Sequence, residues 1–304
     1  MKTNHKYLIV LAGPTAVGKT NIAIKIAQHF KCEIISADSR QFYKELKIGA
    51  APPSPEQLKL ITHHFAGFKT FSEYYNVSRF EQDVLQLITK LFKKNNVVIM
   101  CGGSGLYIDA VCNGIDNMPE FDPELRKNLT ARLSNEGVES LRLELKKLDP
   151  VTYNKIDLRN KNRVLRALEM CLLTGKPYSQ FLLKTPKERS FGIIKIALNL
   201  ERSELHKRIN KRTDLMIENG LVNEAKLLYP YRHHNALNTV GYKELFEHFE
   251  EKYSLPQAIE LIKRNTRRYA RKQISWFNRN NDYKWFSPDD LTEIIKFIKL
   301  QIKK

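Results

Sequence analysis

No stretch of the 304-residue chain approaches the ~20 consecutive apolar residues of a membrane-spanning helix, so no span is expected. Cysteines are few. Cys32, Cys101, Cys112 and Cys171 include no CxxC pair, which argues against a disulfide framework and a zinc site and for reduced thiols. Two adjacent histidine pairs, His63-His64 and His233-His234, point apart along a helix or strand, so neither builds a metal site alone. Repeats and low-complexity tracts are absent, which excludes solenoids and disordered tails. The segment Met1-Lys2-Thr3-Asn4-His5-Lys6 runs straight into a strand-like run, leaving no room for a secretory signal, and a cytoplasmic location is expected. Acid is the other shortage. Asp and Glu number 33 against 51 Lys and Arg, a formal net charge of +18. That excess is larger than solubility needs and suits a polyanionic partner such as nucleic acid.

What the chain does have, early, is Gly13-Pro14-Thr15-Ala16-Val17-Gly18-Lys19-Thr20, a complete phosphate-binding loop. The apolar run Tyr7–Ala12 precedes it and a helix-like stretch, Asn21–Ala27, follows. Gly13 and Gly18 let the backbone curl so that several N–H groups face one anion, and the helix start adds the positive end of its dipole. Lys19 can reach a terminal phosphate, and the Thr20 hydroxyl can ligate an accompanying Mg²⁺. By motif alone the loop is an ATP-type nucleotide site.

Strand-like and helix-like segments alternate through the first third: Lys6–Ala12, Asn21–Phe30, Glu33–Ala37, then Val77–Lys94 and Val97–Met100. Residues 41–70 read as irregular. Ile193–Leu200 is another buried strand. This is the pattern of an α/β fold, a P-loop NTPase-like parallel sheet flanked by helices. From Met118 to Arg189 the strand signal disappears and Glu124–Asn135, Glu139–Lys147 and Lys161–Leu173 read as helices. An all-helical insertion domain is therefore expected over 118–189, within a core formed by 1–117 and 190–304. The C-terminal hundred residues read as helical throughout.

Further clusters carry chemistry. Ser36-Ala37-Asp38-Ser39-Arg40-Gln41 leaves the carboxyl end of the second strand, where parallel sheets place their ligands. Asp38 there is a general base, an outer Mg²⁺ ligand or a helix cap. Cys101-Gly102-Gly103-Ser104-Gly105-Leu106-Tyr107 ends the next strand without the acidic residue with which P-loop NTPases organise Mg²⁺ and water. Its glycines and Ser104 offer either a close backbone approach to a ligand or a plain turn. Arg159, Lys161, Arg163 and Arg166 surround one helix start in the insertion. Arg208 and Arg212, four apart on one helical face, are spaced to converge on one pyrophosphate. The segment 263–277 mixes basic residues with Tyr269, Trp276 and Phe277, which suits RNA backbone contact plus base stacking, or places the aromatics in the core.

In this order the motifs resemble the tRNA dimethylallyltransferase (tRNA isopentenyltransferase) family. The resemblance runs through Gly13–Thr20, Ser36–Tyr43, Ile48-Gly49, Gly102–Tyr107, Asp122-Pro123, Leu125-Arg126, Asp149-Pro150, Asn160, Arg163–Glu169, Thr174–Pro177, Leu205–Arg212, Val240–Glu244 and Thr266–Phe277. It implies transfer of a dimethylallyl group from its diphosphate to the exocyclic N6 amine of the adenosine beside the tRNA anticodon, with Mg²⁺ as cofactor. It puts the isoprenoid pyrophosphate on Gly13–Thr20, with Lys19 and Thr20 stabilising the leaving group and Arg208 and Arg212 neutralising it further. Asp38 takes the amine proton or holds the amine. The tRNA anticodon stem-loop falls on Asp38, Ser39, Arg40, Gln41, Ser104, Arg126, Asn162, Arg163, Arg166, Asn238, Gly241, Tyr242, Lys243, Arg271, Lys272, Gln273 and Trp276. A monomer is expected. The chain departs from the family pattern at Ala50-Ala51-Pro52-Pro53, where Thr-Ala-Lys-Pro is usual, and at Phe65-Ala66-Gly67-Phe68 after the histidines. Ser104 stands where Thr is commoner. The first departure removes a hydroxyl and a positive charge near the rim of the site and bears on donor preference or efficiency.

Two other readings stand beside this one. A P-loop kinase for a small metabolite or nucleotide explains residues 7–30 equally well, but not the charge, the absent carboxylate or segment 263–277. A non-catalytic RNA-binding protein with a vestigial anion site accommodates the Ala50 and Pro52 departures, but not the intact Lys19, Thr20 and Asp38.

Overall fold

The computed structural model describes residues 5–116, 118–119, 122–182 and 187–303. Six parallel strands form one sheet in the order β3 (His63–His64), β2 (Ile34–Ser36), β4, β1, β5 and β6 (Lys284–Phe286). β1 (Tyr7–Ala12) lies at its centre, between β4 (Val97–Gly102) and β5 (Gly192–Leu198). These strands are continuous apolar runs because both of their faces are covered. On one face Ile9, Leu11, Ile99 and Ile196 pack with Ile22 and Ile26 of α1 (Lys19–Phe30) and Ile294 and Ile298 of α13 (Leu291–Lys303). On the other, Val10, Val98 and Met100 meet Phe80, Val84 and Ile88 of α3 (Val77–Leu91) and Ile108 of α4 (Gly105–Asn113). At about 1.5–3 kcal/mol per fully buried large aliphatic side chain, these two layers dominate the stability of the unit.

The register positions the site. Ala12 is opposite both Gly102 and Ala197, and Ser36 of β2 (Ile34–Ser36) is opposite Cys101. The carboxyl ends of four neighbouring strands thus open at one edge, the edge at which such sheets bind ligands.

Four short elements of the larger unit lay outside the sequence expectation. The segment read as irregular contains α2 (Pro55–Leu60), opened by a Ser54–Gln57 capping box, and the edge strand β3 (His63–His64). α4 follows the glycine-rich turn directly. The other edge strand, β6 (Lys284–Phe286), interrupts the C-terminal helices α9 (Arg202–Glu218), α10 (Leu221–Leu228), α11 (Tyr242–Phe249), α12 (Leu255–Phe277) and α13. Strands of two or three residues are too short for a periodic pattern, and sheet pairing defines them.

The chain divides into two compact units, 1–113 with 188–304 and 114–187. The expected boundaries at 118 and 189 stand close to these; Met1, Asn117 and Lys304, limits of the expected core segments, lie outside the described residues. The smaller unit holds α5 (Pro123–Asn135), α6 (Val138–Leu148), α7 (Pro150–Lys155) and α8 (Lys161–Thr174) around Leu129, Leu141, Leu145, Val164, Leu165 and Leu168. Asp149 is fully buried in it and accepts hydrogen bonds from Thr152 N and Oγ1 and from Ser179 N and Oγ, at 2.6–2.9 Å. Burial opposes its ionisation, but these donors outweigh burial and hold the carboxyl below the usual range. Among the described residues no helix is long and apolar enough to cross a membrane.

Candidate active site

A cavity of about 590 Å³ opens in the larger unit at the carboxyl edge of the sheet. Its polar end is the phosphate loop. Gly13 (φ +145°), Ala16 (φ +64°) and Gly18 (φ +103°) take left-handed or positive-φ conformations that turn the backbone back on itself. Gly18 caps α1 with no side-chain hydrogen bond, so the first amides of the helix have no side-chain cap. Thr15, Ala16, Gly18, Lys19 and Thr20 line the cavity. Gly13, Pro14 and Val17 are buried and shape the loop from behind.

Lys19 is half-buried by area, yet its ammonium is enclosed by the loop and donates to the Gly13 and Pro14 carbonyls at 3.0 and 2.7 Å. Burial lowers its pKa to about 8, with Cys101 and Asp38 pulling the other way. Asp38 lines the same cavity, and its Oδ1 accepts from Arg40 N at 3.0 Å. It therefore serves as a local turn cap while its charge is felt at Lys19 and at Arg212. Arg212, on α9, is enclosed here, and its Nη1 is 3.3 Å from Thr15 Oγ1. Burial presses its pKa down and Asp38 presses it up; a guanidinium stays charged either way. Cys101 lines the cavity where a carboxylate is absent, and burial pushes its thiol up to about 12, so it stays protonated.

The cavity also has an apolar lining: Ile209 and Met216 of α9, Leu221 of α10, Val240 just before α11, and Ile262 of α12, together with Thr213 and Thr266. Nothing in the residue pattern marked this apolar lining, since an apolar residue on an amphipathic helix looks the same whether it faces core or cavity. Tyr269 stands at the rim. Its ring is exposed at 42%, but its hydroxyl sits within hydrogen-bonding reach of Ser104, and burial there, then Asp38, raises its pKa.

Several expected site residues hold other positions. Arg208 does not converge with Arg212: its Nε bonds Glu204 at 2.9 Å, one turn earlier, and it does not line the cavity. Tyr242 is fully buried, with its hydroxyl 2.7 Å from Glu224, so it cannot lie on an RNA surface; its neighbours Gly241 and Lys243 do line the cavity. Gln273 lines the cavity but is nearly buried, at 5% exposure. Its Oε1 accepts from Thr15 N at 2.8 Å and its Nε2 donates to the Gly103 carbonyl at 2.9 Å. Trp276 donates Nε1 to Asp109 at 2.9 Å and carries the Arg279 guanidinium over its ring at 3.9 Å, which covers one face of the ring. Arg271 and Lys272, one residue off the buried stripe Ala270, Gln273 and Phe277, are exposed.

The glycine-rich turn after β4 is occupied by the protein itself. A Cβ on Gly103 would lie 2.2 Å from the Gln273 amide, and one on Gly105 would lie 2.2 Å from the Trp276 ring. Ser104 Oγ accepts from Ser39 N at 3.0 Å and so pins the Asp38 loop. Ser39 lines the cavity, Arg40 donates to the Asn235 and Ala236 carbonyls, and Gln41 Nε2 donates to the Ala51 carbonyl at 2.9 Å. In the smaller unit Arg126 and Arg166 clamp the fully buried Glu169, at 3.1 and 2.6 Å, while Asn162 and Arg163 are exposed.

A glycine-looped phosphate site joined to an Asp, an enclosed Arg and an apolar lining now has relatives to be set against. The profile of the family described as IPP transferase matches residues 41–280. The chain belongs to that family. The matched stretch begins after the phosphate loop and Asp38 and takes in Arg212, the apolar lining and α12. Among its relatives is the tRNA dimethylallyltransferase 2 of Azobacteroides pseudotrichonymphae, 54% identical over 286 residues, covering 94% of this chain and 93% of the relative. The tRNA dimethylallyltransferase 1 of Phocaeicola vulgatus is 50% identical over 291 residues, 96% of this chain and 97% of its own. The crystal structure of the full-length tRNA isopentenylpyrophosphate transferase of Bacillus halodurans superposes with a TM-score of 0.72 at 34% identity, covering 98% of this chain and 97% of that one. A eukaryotic dimethylallyltransferase described as acting on tRNA superposes at 0.74 with 28% identity, covering 94% of this chain and 75% of its own. The parallel sheet flanked by helices is thus the family's fold, and the family's members are prenyltransferases.

Proposed function

We propose that this protein transfers a dimethylallyl group from dimethylallyl diphosphate to the N6 amine of the adenosine adjacent to the anticodon of tRNA, releasing diphosphate. One observation carries the reading: the phosphate loop, Asp38 and Arg212 share one cavity with apolar side chains of α9, α10 and α12, and a protonated thiol, not a carboxylate, stands next to the last residue of β4. A hydrolase or kinase site needs no hydrocarbon lining, and it uses the acid that is missing.

In the reaction the allylic C1–O bond breaks, the N6–C1 bond forms, and the amine loses a proton. An allylic diphosphate ionises once its growing negative charge is met, so positioning and charge stabilisation supply most of the acceleration. The loop amides, the Lys19 ammonium and Arg212 receive that charge. Ile209, Met216, Leu221 and Ile262 offer the five-carbon chain an apolar surround. Asp38 holds the amine and accepts its proton, with Tyr269 beside it. The adenine leaves its stack to reach Asp38. The exposed Arg271 and Lys272 of α12 and Lys243 at the rim meet the RNA backbone, and Arg163 and Asn162 form a second contact surface on the smaller unit.

Mg²⁺ fits this donor set. Thr20 and Asp38 offer hard oxygens on one cavity, and the described residues contain no group of three or more His, Cys, Asp or Glu able to hold a metal alone. That composition suits an ion carried largely by diphosphate and water. When bound, Mg²⁺ would stabilise charge on the departing diphosphate.

The test is direct: incubate the protein with tRNA and dimethylallyl diphosphate, digest, and analyse the nucleosides by mass spectrometry. A dimethylallyl-adenosine is expected. Its absence, with tight Mg²⁺–ATP binding, would favour the kinase.

A further inference from the structure

Glu224 sits on α10 and does not line the cavity, yet its carboxylate holds the segment that leads into the lining residues Gly49–Ala51. Oε2 accepts from Lys47 N and Ile48 N, each at 2.9 Å, and Oε1 accepts from Gly49 N at 3.0 Å. Three successive amides converging on one anion form a nest, a concavity that ordinarily binds an external anion. Here the protein supplies its own. Oε1 also accepts from the Tyr242 hydroxyl at 2.7 Å, and the Tyr242 ring lies so close to Gly49 that a Cβ there would be 2.6 Å from it. The carboxylate thereby ties two cavity-lining loops together, Gly49–Ala51 and Val240–Lys243.

The tie extends toward Asp38. Ala51 is held in a left-handed conformation (φ +43°) by a turn from Ala51 N to the Ile48 carbonyl, at 2.9 Å. The Ala51 carbonyl accepts from Gln41 Nε2, and Gln41 N in turn donates to the Asp38 carbonyl at 3.0 Å. From Glu224 the path to Asp38 is a continuous run of hydrogen bonds. The phosphate loop and Arg212 lie outside it.

We infer that Glu224 is a positioning residue: it sets the wall of the cavity that faces Asp38 and so the placement of the accepting base, without contributing to the hold on diphosphate. This rests on the prenyl-transfer reading above.

The experiment uses the full chain with Glu224→Ala and Glu224→Gln. Turnover with tRNA, affinity for inorganic diphosphate and hydrogen exchange of the Lys47–Gly49 amides are measured with and without acetate. Expected for Glu224→Ala is a fall in kcat/KM for tRNA of up to about 100-fold, since a displacement of ~1 Å remote from the chemistry costs that much. Diphosphate affinity should stay within about threefold. The three amides should lose protection, and acetate, entering the emptied nest, should restore both protection and part of the turnover. Glu224→Gln retains one acceptor oxygen and covers the case of an alanine variant that does not fold; its turnover should fall less, again with diphosphate binding intact. Wild-type turnover in either soluble variant would overturn the inference, as would an equal loss of diphosphate affinity. A wild-type protein that makes no prenylated nucleoside sinks the proposed function instead. Amide protection and its rescue by acetate then judge the Glu224 nest alone, and amides that stay protected in Glu224→Ala would overturn it.

Discussion

Gln273 offers the sharpest test of how this site is held, because its contacts are internal where the motif suggested RNA. Its amide joins Thr15 of the phosphate loop to Gly103 after β4, across 258 and 170 residues of chain. Gln273→Ala leaves the buried Gly103 carbonyl without that partner, which costs about 1–3 kcal/mol. Thr15 N is at the cavity, where water can replace the lost acceptor, so the net loss there is about 0.5–1.5 kcal/mol. The sum is about 1.5–4.5 kcal/mol, a large share of the ~5–15 kcal/mol that stabilises a domain. Gly103→Ala should be costly for the complementary reason, since its Cβ would meet the Gln273 amide at 2.2 Å. In the Gln273→Ala background that obstacle is gone, and the next neighbour, the Gly13 carbonyl, stands at 3.4 Å. The double variant should therefore be more stable than the two single costs predict, by about 1–3 kcal/mol of coupling. Both tryptophans, Trp276 and Trp285, lie in the larger unit, so denaturant unfolding followed by tryptophan fluorescence reads that unit alone. Additive costs, within about 0.5 kcal/mol, would refute the packing argument. Unaltered tRNA affinity in Gln273→Ala is expected too, and a loss matching that of a charge reversal at Arg271 and Lys272 would return Gln273 to the RNA surface.

Asp38→Ala should abolish prenyl transfer while diphosphate binding stays nearly unchanged; normal turnover would remove Asp38 from its proposed role. Arg212→Ala should weaken diphosphate binding by about 2 kcal/mol or more, as loss of an enclosed charged partner does, whereas Arg208→Ala should change it by less than about 0.5 kcal/mol. Calorimetric titration of inorganic diphosphate separates the two, and equal losses would restore the paired-arginine arrangement. With the Lys19 pKa lowered to about 8, the ammonium is complete below that pH and is lost above it, so diphosphate affinity should fall as pH rises through 8 to 9. Lys19→Arg, whose guanidinium stays charged, should flatten that fall, and a wild-type affinity level to pH 9.5 would contradict the shift.

Much of this molecule is local in origin, and that part was legible. The phosphate loop is eight consecutive residues whose glycines, lysine and hydroxyl act within one turn of chain. The central strands are apolar runs buried on both faces, and α12 shows its buried stripe as a 3.6-residue period. Asp38 could be placed because the residue leaving a parallel strand must sit at the ligand edge. Composition and motif order were enough to suggest a tRNA prenyltransferase, and the family comparison bears this out.

What tertiary structure alone decided concerns direction and company. Arg208 and Arg212 share a spacing, but only Arg212 is enclosed with Thr15, because Arg208 has Glu204 one turn away. Tyr242, Gln273 and Trp276 stand in motifs dense with polar and basic residues, and each is turned inward by a partner on another element: Glu224, Thr15 with Gly103, and Asp109. The apolar lining is assembled from α9, α10 and α12, and no one of those helices differs in pattern from a helix facing core. Residue types and short-range periods specify which chemistry is available; the partners each side chain finds in the folded chain, from Glu204 one turn before Arg208 to Thr15 at 258 residues from Gln273, settle which groups reach the cavity.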